Sequence, residues 1–237
     1  MNNQVIDTAR LIEKAAVYDM NITSVCEKLA QYAEILVDYN QKVNLTAITD
    51  APGIEDKHFI DSLLFAAQPE VQGKLVDVGT GAGFPGVVAK IWKPELAVSL
   101  LEPTGKRIDF LKFLCAELGL EAECIKERAE EAARKIWREQ FDVATARAVA
   151  DLSILAEYCL PLVKVGGLFI ALKGANAAQE VENAQGAITK LGGKFVTSRA
   201  FVLPDGAARS LIFYKKISQT PSVYPRNGGK IAKAPLK

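Results

Sequence analysis

The stretch "LVDVGTGAGFPG", Leu75 to Gly86, decides how this chain is read. An apolar run carries one acid, Asp77, and then runs into four glycines, Gly79, Gly81, Gly83 and Gly86. Glycine tolerates positive φ and lets a ligand approach the backbone closely. The run before the glycines reads as a strand and the segment after them as a helix. In open α/β sheets, ligands bind at the carboxyl ends of strands, where a following helix presents free N–H groups. The stretch is therefore a ligand-holding loop.

The chain around it has a strand–helix rhythm. Strands are predicted at 74–78, 97–102, 122–126, 141–146, 167–173, 194–203 and 209–216. Helices fit 85–92, 104–118, 128–138, 151–160 and 175–190. Strict alternation implies a parallel sheet with helices on both faces. The last two strands are separated only by "PDGAA", a turn signal, so they are read as antiparallel neighbours. The expected fold is α/β, a seven-stranded mostly parallel sheet with an antiparallel C-terminal strand.

Before Lys74 the rhythm is absent. Helices are predicted near 4–17, after Asn21 as N-cap, and over 54–67. Val25, Leu29, Tyr32, Leu36, Tyr39 and Val43 fall on one helical face. This region, 1–67, is read as a helical cap packed on a main domain, 68–219. The remainder, 220–237, is read as an extended basic tail. No acid follows Asp205, whereas Arg226, Lys230, Lys233 and Lys237 are basic. That asymmetry fits an anionic partner such as nucleic acid as well as a solvated terminus.

Composition narrows the class. Apolar residues make up 49% of 237, so a sizeable core is within reach. No apolar run approaches the roughly 20 residues of a membrane span, and the first residues do not read as a signal peptide. A cytoplasmic protein without a membrane partner is expected. The four cysteines, Cys26, Cys115, Cys124 and Cys159, lack metal-ligand spacing, so they are read as buried free thiols and no metal is expected. Oligomeric state is not legible, with a monomer favoured.

The loop spelling discriminates between ligands. A dinucleotide fingerprint starting at Gly79 needs its third glycine at 84, which is Phe84; the frame Gly81, Gly83, Gly86 starts two residues late. Asp77 would repel a pyrophosphate and suit the ammonium and sulfonium of S-adenosylmethionine. Asp77, Gly79, Gly81 and Gly83 spell the loop of class I methyltransferases, with a nicotinamide enzyme as the rival. Glu102, ending the second strand, suits the ribose hydroxyls of either ligand. Ala129 and Glu130 in "RAEE" stand where an adenine edge would lie.

Eight blocks occur in order: "NQKVNLTAITD…DKHFIDSLL", "DVGTGAGFPG", "EPTGKRIDFL", "RAEE", "FDVATARAVADL", "LPLVKVGG", "ALKG" and "YPRNGGK". Together they resemble the bacterial small-subunit ribosomal RNA methyltransferase G family from about Asn40 onward. The resemblance implies a class I S-adenosylmethionine-dependent methyltransferase with a Rossmann-like fold. It further implies transfer of a methyl group to N7 of a guanine in 16S ribosomal RNA, with that RNA or the small subunit as partner. The alternative is an RNA-binding assembly factor that keeps the fold without turnover, which would have no need of the loop or of Glu102.

Absences agree with N7. The fourth strand is followed by "TARAVA" and not by the Pro-Pro-aromatic loop of exocyclic amine methylation. The cysteine nucleophile of pyrimidine C5 methylation is also lacking, since Cys159 falls inside a predicted helix away from the strand ends and the other cysteines read as structural. Guanine N7 carries a lone pair and no proton, so alignment is what it requires. The expected cofactor contacts are Asp77, Gly79, Gly81, Gly83, Phe84, Glu102, Ala129, Glu130 and Arg147. Arg147, just past the fourth strand, suits guanine O6 or a phosphate, and the resemblance makes it an active-site or cofactor contact. The resemblance also keeps His58 near the cleft in a positioning role. Arg147 and His58 are the expected catalytic residues, and Lys173, Arg226, Lys230 and Lys233 the expected RNA contacts.

Overall fold

β1 (Lys74–Val78) deals its side chains to two different cores, and the whole molecule is arranged around that division. A computed structural model of the chain describes residues 5–147 and 150–237. Seven strands form one sheet in the order β3-β2-β1-β4-β5-β7-β6. The others are β2 (Ala97–Leu101), β3 (Ala122–Ile125), β4 (Phe141–Arg147), β5 (Val163–Lys173), β6 (Gly193–Val202) and β7 (Ala208–Lys216). β7 is antiparallel to β5 and β6, and every other pairing is parallel.

The helices are α1 (Thr8–Ala16), α2 (Cys26–Asn40), α3 (Ala51–Gly53), a π-helical segment (Ile54–Ile60) and α4 (Asp61–Ala66). They continue with α5 (Gly86–Trp92), α6 (Gly105–Glu117), α7 (Ala129–Ala132), α8 (Leu152–Cys159), α9 (Ala177–Lys190) and α10 (Gly228–Lys233). α3, the π segment and α4 follow one another without a break. Among the described residues no helix is long and apolar enough to cross a membrane.

Period-two alternation fills both faces. Leu75, Val98, Leu100, Val143, Ile170, Leu211 and Phe213 point into a core shared with α2, α4, α5 and α6. Val76, Val78, Ala144, Phe169, Ala171, Ile212 and Tyr214 point into the opposite core, shared with α8 and α9. The N-terminal helices have no core of their own: Leu11, Leu29, Tyr32 and Leu36 belong to the first cluster. Tyr32 reaches the glycine loop, its hydroxyl donating to Ala82 O at 2.5 Å. α1 is tied to the π segment by a fully buried carboxylate, Glu55, which accepts from Asp7 N, Arg10 and Lys14. A buried charge persists only when paired in this way.

Three expectations need correction. Asn21 is not a helix N-cap: its side chain accepts from Thr23 N in a preceding turn, and α2 starts at Cys26. The helix expected over 128–138 is the short α7, because the chain then breaks into turns. The segment from Thr220 is not extended. It folds back across α7 and α8, forms α10 and buries Ile231. Arg138 donates to Thr220 O and Tyr224 O, and Arg134 donates to Pro225 O.

β1 is followed by β2 on one side, while β4 lies on the other. Strand order reverses at this point, so a crevice opens beyond the carboxyl ends of β1 and β4. Gly79 stands at the end of the first strand and Arg147 at the end of the second.

Candidate active site

The loop after β1 is built by its glycines. Gly79, Gly81 and Gly83 have φ of 68°, 59° and 101°. Side chains are excluded for different reasons along it. A Cβ on Gly83 would lie 2.7 Å from the Tyr32 hydroxyl, and one on Gly86 2.8 Å from Asp77 Oδ2. A Cβ on Gly81 would meet nothing nearer than Gly79 O at 4.0 Å. The open side of Gly81 therefore faces the crevice, as a ligand cradle requires.

Asp77 is behind this loop. Its Oδ2 accepts from Thr80 Oγ1 at 2.6 Å and from Gly86 N at 2.7 Å. The group is fully buried and its Oδ1 has no partner among the described residues. Burial pushes its carboxyl up to about 6. Asp77, expected as a direct contact of a cationic ligand, lines neither cavity beside the loop and instead ties Thr80 to Gly86 from behind it. Gly83 likewise acts through packing and does not line the crevice.

Two cavities flank the loop. One, of about 410 Å³, is lined by Gly79, Glu102, Arg107, Ala129, Glu130, Tyr158 and Arg147. Glu102 is nearly buried, accepting from Thr104 N at 2.9 Å and Gly81 N at 3.3 Å. It thus joins the ends of β1 and β2. The second cavity, of about 490 Å³, is lined by Gly79, Gly81, Phe84, His58, Arg147, Lys173, Glu180 and Arg209 among others. Gly79 and Arg147 belong to both, so the cavities meet there.

Arg147 is held from several sides. Its Nη1 donates to Lys57 O at 2.6 Å and to Asp61 Oδ2 at 3.0 Å. Its guanidinium also lies over the Phe84 ring, 5.1 Å from the centroid. The π segment makes the first contact possible: Asp61 N bonds back to Asp56 O, five residues away. Lys57 O, the acceptor an α-helical Asp61 N–H would use, instead receives Arg147.

His58 completes the cluster. Its ring stacks with Phe84 at 4.4 Å, and its Nε2 lies 3.0 Å from Thr46 Oγ1. Arg147 Nη2 is 3.3 Å from Nδ1. Arginine can only donate, so Nδ1 accepts and Nε2 carries the proton toward Thr46. Burial, then the nearby Arg147 charge, lowers its pKa to about 3. The ring is neutral and oriented.

The structure thus brings Gly79, Gly81, Phe84, Glu102, Ala129, Glu130, Arg147, His58 and Lys173 around one bipartite crevice. Phe84 is a buried support for His58 and Arg147. Lys173 pairs with Glu180 at 2.6 Å and donates to Ala150 O at 2.9 Å. Arg226 is elsewhere and already engaged: its backbone N–H and guanidinium bind Glu157, which is fully buried. Its expected role as a free phosphate contact is replaced by this pairing. Lys230 and Lys233 lie exposed on α10. Among the described residues no group of three or more His, Cys, Asp or Glu could hold a metal.

Sequence reading missed Thr46, Asp61, Glu180 and Arg209. Asp61 had a signal, since it stands three residues after His58 in a helix and so shares its face. Glu180 and Arg209 had none. They reach the crevice from α9 and β7 through tertiary packing alone.

Comparison with known proteins gives consistent matches. A family model described as rRNA small subunit methyltransferase G matches residues 25–209. The ribosomal RNA small subunit methyltransferase G of Alkaliphilus metalliredigens (strain QYMF) is 47% identical over 216 residues, covering 89% of this chain and 90% of that protein. Its namesake from Geobacillus kaustophilus (strain HTA426) is 48% identical over 212 residues, covering 87% and 89%. Among solved structures, a SAM-dependent O-methyltransferase from Thermotoga maritima aligns with a TM-score of 0.51 at 15% identity, over 78% of this chain and 72% of that one. A geranyl diphosphate C-methyltransferase from Streptomyces coelicolor A3(2), bound to S-adenosyl-L-homocysteine, aligns with a TM-score of 0.51 at 15% identity, over 65% and 76%. These two likenesses concern the fold.

Proposed function

The chain belongs to the rRNA small subunit methyltransferase G family, and on that footing we propose that it methylates N7 of a guanine in 16S ribosomal RNA, using S-adenosylmethionine. The observation that carries the reading is the junction of two cavities at Gly79 and Arg147. One cavity suits an adenosine and the other a base, so donor and acceptor would meet at the shared wall. When bound, S-adenosylmethionine supplies an electrophilic methyl carbon on a positively charged sulfur.

The chain's residues hold and align. Glu102 offers carboxylate acceptors to a ribose diol, and Ala129 and Glu130 border the adenine side. The open face of Gly81 admits the amino-acid end against bare backbone. Arg147 stands between the two sites, fixed by Lys57 O, Asp61 and Phe84. A guanidinium so fixed can orient a base at O6 or steady the donor's carboxylate without reorganising. Guanine N7 brings its own lone pair and no proton, so no general base is needed. His58 fits that requirement, since a ring with a pKa of about 3 does not shuttle protons near neutrality. It acts by holding Arg147 and Thr46. Catalysis then rests on proximity and on exclusion of water.

The test is transfer of a labelled methyl group from S-adenosylmethionine to 16S RNA, offered free and within the small subunit. The product should be cleaved by borohydride reduction followed by aniline, the chemistry specific to N7-methylguanosine. Label that survives without chain cleavage would place the methyl elsewhere and overturn the N7 assignment.

A further inference from the structure

We propose that Glu180, with Lys173 beside it, reads the O6–N1–N2 edge of the target guanine and so separates guanine from adenine. This rests on the guanine-N7 reading above and assigns to the base cavity a residue that the reaction itself does not require.

Two carboxylates line that cavity, Asp61 and Glu180. Asp61 is fully committed: Oδ2 binds Arg147 at 3.0 Å and Oδ1 binds Arg209 at 2.8 Å. Glu180 is committed on one side only. Its Oε2 accepts from Leu152 N at 2.9 Å and from Lys173 Nζ at 2.6 Å. Its Oε1 has no hydrogen-bond partner among the described residues. Lys173 spends two of its three N–H groups, on Glu180 and on Ala150 O. The cavity wall therefore presents a donor and an acceptor side by side. Lys173 stands at the end of β5, next to β4, which carries Arg147, and Glu180 reaches it from α9.

Guanine shows the complementary pattern. Moving away from N7, its edge presents O6, which accepts, then N1–H and the N2 amine, which donate. With N7 held at the junction the register is pinned, so the ammonium faces O6 and the carboxylate faces N1–H and N2–H. Adenine in the same register places its N6 amine against the ammonium and its N1 lone pair against the carboxylate. Both contacts are then repulsive and their partners are left unpaired in a half-buried pocket. Sites that hydrogen-bond a polar substrate group reject analogues lacking it far better than apolar pockets reject a methylene.

The test compares RNAs carrying guanosine or inosine at the target position, with wild-type protein and with Glu180→Gln. Inosine keeps N7, O6 and N1–H but lacks the N2 amine. Methyl-transfer kcat/KM and S-adenosylmethionine affinity are both measured. Wild-type kcat/KM should fall about tenfold or more on inosine, the size expected for one lost hydrogen bond to a charged group. Glu180→Gln should fall comparably on guanosine and distinguish the two RNAs by less than about twofold. Cofactor affinity should stay within about twofold of wild type in that variant. Glu180→Asp keeps the charge but withdraws the oxygen, so it too should lose inosine discrimination. Should Glu180→Gln fail to fold, Glu180→Asp and the wild-type comparison decide. Equal wild-type rates on the two RNAs overturn the proposal. So does a Glu180 variant that loses activity yet keeps wild-type discrimination. A wild-type protein that methylates neither RNA instead overturns the underlying reaction, which separates the two failures.

Discussion

Asp61 bridges two arginines from different strands: Arg147 of β4 at 3.0 Å and Arg209 of β7 at 2.8 Å. The carboxylate is 1% exposed, so it sets where both guanidinium groups stand. Asp61→Asn would keep the shape and remove the charge. Two cations would then face each other without an anion between them. Removing one partner of a buried ion pair costs about 3–5 kcal/mol, at the lower end here because the arginines are partly exposed. Turnover should fall on the order of 10²-fold if Arg147 needs this clamp for alignment. Thermal unfolding and single-turnover methyl transfer check the two parts. Wild-type turnover in a folded Asp61→Asn protein would detach the clamp from catalysis.

The buried pair His58 and Asp77 gives opposing pH dependences. His58 is lowered from 6.5 to about 3, so the unfolded chain binds more protons between those values and stability falls as pH drops through that window. Asp77 is raised from 3.8 to about 6, so the folded chain binds more protons between 3.8 and 6. Its effect runs the other way: stability falls as pH rises through that window. Between pH 4 and 6 the two slopes, each about 1.4 kcal/mol per pH unit when fully developed, largely cancel. His58→Gln should therefore expose a fall in stability from pH 4 to 6 relative to wild type. Chemical denaturation at several pH values measures it. Activity should show no inflection near 6.5 that His58→Gln removes.

Glycine substitutions in the loop should separate binding from folding. Gly81→Ala adds a Cβ that meets no protein atom within 4 Å except Gly79 O at that limit. The left-handed backbone costs roughly 1 kcal/mol, and the protein should remain folded. Its cofactor affinity should fall tenfold or more, on the order expected for a methyl group forced into a close backbone contact. Gly86→Ala places a Cβ 2.7 Å from Leu100 and 2.8 Å from Asp77, and its main loss should be stability. Calorimetry with S-adenosylmethionine and thermal melts distinguish them. Equal cofactor affinity in Gly81→Ala and wild type would mean that the ligand lies elsewhere.

Much of this was legible in the sequence because it is local. Short apolar runs alternating with helical segments located all seven strands, and β1 fell on the predicted 74–78. β5 starts earlier than expected, at Val163, because the polar "KVGG" passes through a bulge that pairs Val163 with Phe141. No apolar pattern marks such a stretch. The loop spelling indicated the ligand class but not which side of the loop Asp77 occupies, since side-chain direction at a strand end depends on packing around it. Arg226 and Glu157 are 69 residues apart and Asp61 and Arg209 are 148 apart. Such pairings leave no trace in spacing, so a run of basic residues was read as free charge.

That pairing changes what the C-terminal segment should do when cut. Removing residues 221–237 deletes Arg226 and leaves Glu157 fully buried without its cation, at a cost on the order of 3 kcal/mol. It also uncovers the site of Ile231 and takes Gly228 away from Glu130, whose Oε1 a Cβ at that position would strike. Glu157 adjoins Tyr158, and Tyr158 and Glu130 line the cavity assigned to adenosine. Truncation should therefore lower both stability and S-adenosylmethionine affinity, so it is a poor probe of RNA contacts. The clean probe is Lys230→Ala with Lys233→Ala, because both side chains are exposed on α10 and neither appears in an ion pair among the described residues. If each meets one phosphate, the log–log salt slope of RNA binding should flatten by about 0.7 per lost contact on single-stranded RNA. Cofactor affinity and melting temperature should be unchanged in the double variant. Binding titrations at several salt concentrations decide between the two roles: an unchanged slope would make α10 a strut for the cofactor wall and nothing more.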